Sequence, residues 1–287
     1  MHVLVTGGTG TVGSQVVREL LKRNVEVSVL TRDASKAGTL PDGVKTVVRD
    51  LGEPASVRHI FDNVDAVFLV TAVGPKEAHE GLMAVTGLRL GGGKRIVYLS
   101  VHHADTAAWL PHFGAKIGVE AALAATGIPF TILRPNNFHQ NDYWFKDAIL
   151  QYGVYPQPLG SLGASRVDVR DIAEAAAIAF TEPGHHGQTY DLVGPDQLTG
   201  EKTAQIWSRV LGKEVRYGGD DLDAWEKQFL QYLPEHIVFD FREMYDFFQK
   251  QGFTATPEAV ARHTTLLGHA PRSFEAFAEE TAAAWKG

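Results

Sequence analysis

The sequence predicts an α/β protein built on a doubly wound parallel sheet, with a smaller and mostly helical lobe toward the C-terminus. Three observations predict it. Short β-branched runs alternate with longer stretches whose apolar residues recur every three or four positions, the rhythm of strands joined by crossover helices. Gly7, Gly10 and Gly13 stand at the first junction between a strand pattern and a helix pattern. From residue 200 onward the strand rhythm gives way to helical spacing rich in aromatic residues, among them Trp207, Trp225, Phe229, Tyr245 and Phe253.

Taken in order, strands are expected over residues 2–5, 26–30, 44–48, 66–70, 95–99 and 130–133, with helices over 11–23, 55–62, 76–90 and 113–125. Parallel strands need such crossovers, and the crossovers cover both faces of the sheet. A later group completes the sheet or its edge: a strand pattern over 166–169, an alanine-rich helix over 171–180 and a strand over 189–193. The expected organisation is a dinucleotide-binding domain over 1–138, completed by 164–194, and a substrate-binding lobe over 139–287.

The first turn reads Thr6-Gly7-Gly8-Thr9-Gly10-Thr11-Val12-Gly13. One glycine permits the tight turn, another lets backbone approach a pyrophosphate, and Gly13 lets the helix pack closely, while the helix N-terminus offers N–H groups and a positive dipole. This is the phosphate-binding turn of a Rossmann fold. Gly7, Thr9, Gly10, Thr11, Val12 and Gly13 are therefore expected to bind a nicotinamide dinucleotide. The end of the second strand separates the two cofactor forms, because an acid there binds the ribose 2′-hydroxyl and a base accommodates a 2′-phosphate. Arg32 with Lys36 one turn later favours NADP(H), whereas Asp33 would serve NAD(H) if the strand ended a residue or two further on.

Composition narrows the chemistry. The chain has no cysteine, which excludes disulfides, thiolate catalysis and thiolate-bound zinc. A net charge of −7 argues against a surface built for nucleic acid, whose affinity comes from Lys and Arg neutralising phosphates. No apolar run approaches the roughly 20 residues that span a bilayer, and no basic leader precedes an apolar stretch, so no membrane segment and a cytoplasmic location are expected. The adjacent pairs His102, His103 and His185, His186 lack further ligands at helical spacing, and no metal is expected.

Several segments together resemble the NmrA-like family of atypical short-chain dehydrogenase/reductases. They are the glycine turn, Arg49-Asp50-Leu51, Val97-Tyr98-Leu99-Ser100, Lys116 with Glu120, Leu133-Arg134-Pro135-Asn136-Asn137-Phe138, and residues 167–173. The resemblance implies that Asp50 and Leu51 flank the adenine and that Thr71, Ala72 and Val73 pass beneath the cofactor. It also implies that Pro135, Asn136, Asn137 and Phe138 lie near the nicotinamide and that Lys116 binds its ribose. The family contains both reductases and cofactor sensors.

One departure matters. Short-chain dehydrogenases place a proton-donating Tyr four residues before the Lys, and here that position holds His112, preceded by Pro111, which suits the first residue of a helix. His112 then shares a helical face with Lys116 and is the first candidate donor, with Ser100 as a substrate-orienting hydroxyl. His102 and His103 follow the fifth strand and His139 the sixth, at the sheet edge where ligands bind in open α/β folds. Glu120, four residues after Lys116, is expected to pair with it along the helix. Tyr143 and Trp144, with Trp225 in the aromatic lobe, are candidates to line a pocket for a flat aromatic substrate.

A missing tyrosine suits an acceptor that needs little acid catalysis. A quinone takes hydride to give a stabilised phenolate, so a reductase of a quinone, or of a ketone on an aromatic or polyketide-like molecule, is expected. The alternative is an NADP(H) sensor that regulates a partner without turnover.

Overall fold

The computed structural model describes residues 1–286. Strand β1 (His2–Thr6) enters the glycine turn, followed by α1 (Thr11–Lys22) and β2 (Glu26–Thr31). Next come β3 (Lys45–Val48), α2 (Pro54–Ile60), β4 (Ala66–Leu69), α3 (Glu77–Leu90), β5 (Arg95–Leu99), α4 (Pro111–Thr126) and β6 (Phe130–Pro135). The chain then forms α5 (Lys146–Gln151) and β7 (Val154–Tyr155) before returning to the sheet with α6 (Val169–Thr181) and β8 (Gln188–Leu192). The seven-stranded sheet has the order β3-β2-β1-β4-β5-β6-β8. Strands β1 to β6 pair in parallel, with Val3 opposite Val27 on one side and Ala66 on the other. The order reverses at β1, so right-handed crossovers send successive helices to opposite faces.

Two units make up the chain. The first comprises Met1–Pro135 and Val169–Asp191, the second Asn136–Asp168 and Leu192–Gly287. In the first unit, α1 packs beside α6, while α2, α3 and α4 pack side by side. The core beneath those three helices joins Leu4, Val67, Leu69 and Ile96 of the strands to Ile60, Phe61, Leu88, Val119 and Leu123. A β-carbon at Gly81 would come 2.5 Å from Val119, so glycine there is what lets α3 lie this close to α4.

The second unit continues with α7 (Gly200–Leu211), β9 (Arg216–Tyr217), α8 (Leu222–Phe229), α9 (Glu235–Gln251), α10 (Pro257–Leu267) and α11 (Phe274–Lys286). Thr199, Asp221 and Thr256 cap α7, α8 and α10 with side-chain oxygens. Its aromatic residues mostly pack on one another: Trp207 stacks on Trp285 at 4.9 Å, and Phe248 on Phe253 at 4.4 Å. At its centre Arg166 and Asp142 form a fully buried ion pair at 2.6 Å.

One expectation is corrected. Residues 166–169 form no strand: Val167 makes one isolated bridge with Phe138, and α6 begins at Val169. Its neighbour Arg166 turns inward to Asp142, Tyr155 and the carbonyl of Phe138, so polar satisfaction rather than sheet pairing fixes this run. The two-residue strands β7 and β9, which pair in parallel, are too short for alternation to reveal. Among the described residues no helix is long and apolar enough to cross a membrane.

Candidate cofactor site and catalytic residues

The glycine turn has the geometry of a phosphate cradle. Gly7 takes a left-handed φ of +58°, and its carbonyl accepts the Gly10 N–H at 2.9 Å. A β-carbon at Gly13 would lie 2.2 Å from that same carbonyl. Thr6 locks the end of β1 to β4, its hydroxyl donating to Val70 O and accepting from Val70 N, both at 2.7 Å. Helix α1 has no side-chain cap at Gly10, so its first N–H groups, from Thr11, Val12 and Gly13, are left for an anion. These features fit a dinucleotide pyrophosphate.

A cleft of about 300 Å³ continues from the turn along the strand ends. Thr6, Gly7, Thr9, Arg32, Lys36, Asp50, Leu51, Thr71 and Ala72 line it, together with Arg49, which the sequence reading named without a role, and Glu80, which it did not single out. Arg49 follows β3, whose residue Val48 sits beside Thr31 of β2, so parallel pairing brings it near Arg32. Val73 lies outside this lining and is exposed. Asp33 is occupied: its carboxylate accepts the Ser35 N–H at 2.9 Å and the Ser35 hydroxyl at 2.6 Å. The Ser35 hydroxyl and backbone N–H hold it below the usual carboxylate range. Arg32 and Lys36 are both exposed. The fit is therefore to a nucleotide with a phosphate at its ribose end.

The other candidate residues of the first unit gather around β5 and α4. Helix α4 begins at Pro111, which places His112 in its first turn, buried and edge-on to Phe113 at 4.7 Å. Lys116 lies one turn later, also buried, and donates to Glu77 at 2.7 Å and to the Leu99 carbonyl at 3.5 Å. Thr71, which lines the cleft, donates to the same Glu77 oxygen at 3.2 Å. Glu120 does not pair with Lys116 as expected. Arg134 on β6 grips it through two bonds of 3.0 and 2.7 Å, and the Ser100 hydroxyl donates to it. A bidentate guanidinium outcompetes a flexible ammonium for a carboxylate. Burial would lower the pKa of Arg134, but the hydrogen bonds and charges of Glu120 and Asp105 hold it above the ordinary value.

His102, just past β5, has its Nδ1 2.9 Å from Asp191 of β8. That contact directs the other ring nitrogen away from the carboxylate. Neighbouring His103 has a φ of +58° and its ring centroid is 4.0 Å from that of His102.

In the second unit, Asn136 donates to the Phe253 carbonyl at 2.7 Å, and Arg166 holds the Asn137 side chain at 3.1 Å and the Phe138 carbonyl at 2.7 Å. The segment after Pro135 is thus pinned by buried polar contacts. His139 is fully buried against Phe274, with its Nε2 3.0 Å from the Arg166 carbonyl, and burial lowers its pKa. Trp225 is packed on Phe229 at 4.6 Å, whereas Tyr143 and Trp144 are exposed.

The family model of the NmrA-like family matches residues 1–278. The chain belongs to that family. NmrA-like relatives include an NAD(P)H azoreductase of Xenophilus azovorans, 32% identical over 286 residues and covering 99% of both chains. Quinone oxidoreductase 2 of Escherichia coli is 29% identical over 220 residues, covering 75% of this chain and 76% of the other. Among solved structures, the Citrobacter triphenylmethane reductase complexed with NADP(H) superposes with a TM-score of 0.84 at 25% identity, over 98% of this chain and all of that one. The NmrA-like assignment accounts for the glycine turn and for the Rossmann order of the sheet.

Proposed function

We propose that this chain is an NADPH-dependent oxidoreductase that reduces a quinone or another conjugated aromatic acceptor. The observation that carries the cofactor choice is the ribose end of the cleft, where Arg32, Lys36 and Arg49 stand while the Asp33 carboxylate is taken up by Ser35. Names of the relatives support the reaction class: quinone and azo acceptors take hydride to give an anion delocalised onto an aromatic ring, and a cationic triphenylmethane dye takes it at carbon to give a neutral product, so none of them needs a strong acid. NADPH bound in the cleft would supply the hydride.

The chain's own residues then have positioning and proton-handling roles. Gly7 to Gly13 hold the pyrophosphate, and Asp50 and Leu51 flank the adenine. Thr71 and Ala72, which line the cleft, support the cofactor from below, and Lys116 faces its second ribose. Ser100, fixed by Glu120, orients the acceptor. His112 takes the place of the usual tyrosine and delivers the proton, with His102, held by Asp191, as the second donor.

The test incubates purified protein with NADPH and a panel of quinones, aryl ketones, azo dyes and triphenylmethane dyes, following nicotinamide absorbance. Turnover is expected, and His112→Phe should lower kcat by about 10²-fold or more for ketones and by less for quinones, because general acid catalysis matters most where the product anion is unstable. A second reading, a sensor without turnover, is favoured by the absent tyrosine. Tight NADPH binding with no oxidation across the panel selects it.

A further inference from the structure

The cleft at the ribose end holds as many acids as cations, but the acids are not equivalent. Asp33 is committed to Ser35, and Asp50 accepts the Gly52 N–H at 2.7 Å, so both carboxylates are spent on local turns. Glu80 differs. It projects from the first turn of α3, lines the cleft, and meets Arg32 at 3.8 Å, beyond hydrogen-bond range. Its side chain is largely buried at 14% exposure, whereas that of Arg32 is 65% exposed.

The geometry points to Glu80 as the residue that sets how strongly this chain discriminates NADPH from NADH. The inference rests on the NADPH reading above and goes beyond it. A 2′-phosphate seated among Arg32, Lys36 and Arg49 carries nearly two negative charges at neutral pH, and the Glu80 carboxylate opposes it while drawing on Arg32. NADH brings no charge to this place and does not feel that opposition. Glu80 therefore restrains selectivity: the chain binds the phosphorylated cofactor less tightly than its three cations alone would allow. Being largely buried, Glu80 is also less screened by salt than the exposed cation it faces.

Calorimetric titration of the full-length wild type, Glu80→Gln and Arg49→Gln with 2′,5′-ADP and 5′-AMP tests this. Glu80→Gln should bind 2′,5′-ADP about fivefold more tightly at low salt, the upper range for a partly exposed charge pair, with 5′-AMP unchanged. The gain should shrink as ionic strength rises. Arg49→Gln should weaken 2′,5′-ADP alone. Weaker 2′,5′-ADP binding by Glu80→Gln would overturn the inference, since Glu80 would then merely prop Arg32. An equal change for both ligands would overturn it too, by placing Glu80 at the adenine. If the wild type prefers neither ligand, the NADPH reading fails; a preference for 2′,5′-ADP emerging in Glu80→Gln would still uphold the role of Glu80, and no preference in either protein ends both.

Discussion

The pair formed by His102 and Asp191 makes the stability of the chain depend on pH in a definite direction. Burial alone would raise the Asp191 pKa, but the His102 hydrogen bond and charge hold it below the ordinary 3.8. A carboxyl group depressed in the native state contributes stability that is complete above the unfolded pKa and is lost as pH falls through the native one. Asp191→Asn should therefore lower stability at neutral pH and leave little difference from wild type once the medium is more acidic than the native pKa. Acid titration of both proteins by circular dichroism checks it, and parallel curves down to the lowest pH would refute it. At this scale the sequence revealed contacts that are local and hid those that are not. The glycine turn is legible because all its constraints lie within a few residues. Lys116 and Glu77 are 39 positions apart, and Ser100 and Glu120 are 20 apart. Helical spacing suggested instead that Lys116 and Glu120 pair, because the sequence shows neighbours on a helix but not Glu77 of α3 and Arg134 of β6, which compete for them.

At the scale of elements, the junction of α3 and α4 is set by one missing side chain. Gly81→Ala places a methyl group 2.5 Å from Val119, which must shift or force the helices apart. Overpacking of this kind costs about 1–3 kcal/mol. Val119→Ala removes the obstacle, so the double variant should be more stable than the sum of the two single losses predicts, by at least about 0.5 kcal/mol in urea unfolding. Additive losses would show that the helices adjust independently. The strands and helices of the first unit were legible to within a few residues, since each has periodicity and a punctuating turn. The run at 166–169 misled because β-branched residues around a buried arginine look like a strand; the contacts of Arg166 with Asp142, Tyr155 and Phe138, all distant in sequence, decide otherwise.

Across the whole molecule, cofactor binding and folding draw on the same turn. A ligand that binds only the native state adds about 2.7 kcal/mol at one hundred times its Kd, so NADPH should raise the melting temperature in a concentration-dependent way. Gly13→Ala, whose β-carbon would meet the Gly7 carbonyl at 2.2 Å, should lower the melting temperature without ligand and abolish the NADPH-dependent rise. A scanning fluorimetry series in NADPH distinguishes the two effects, and a preserved rise would remove Gly13 from the site. The sheet order was foreseeable from the alternating pattern, because parallel strands with right-handed crossovers admit few arrangements. The cleft was only partly foreseeable: Arg49 reaches it because β3 pairs with β2, and Glu80 reaches it from α3, neighbours that only the folded chain brings together.

The return of the chain to its first unit after residues 136–168 has a consequence for synthesis. Helix α6, which packs beside α1, is translated more than 140 residues later than α1. Until Val169–Asp191 emerges, α1 waits without the helix it packs beside in the finished fold, and the edge of β6 lacks its neighbour β8. The nascent chain therefore carries α1 without its helical neighbour over that interval, and one open edge of β6 from Pro135 until Gln188 is made, the period in which a chaperone that recognises such surfaces has most to bind.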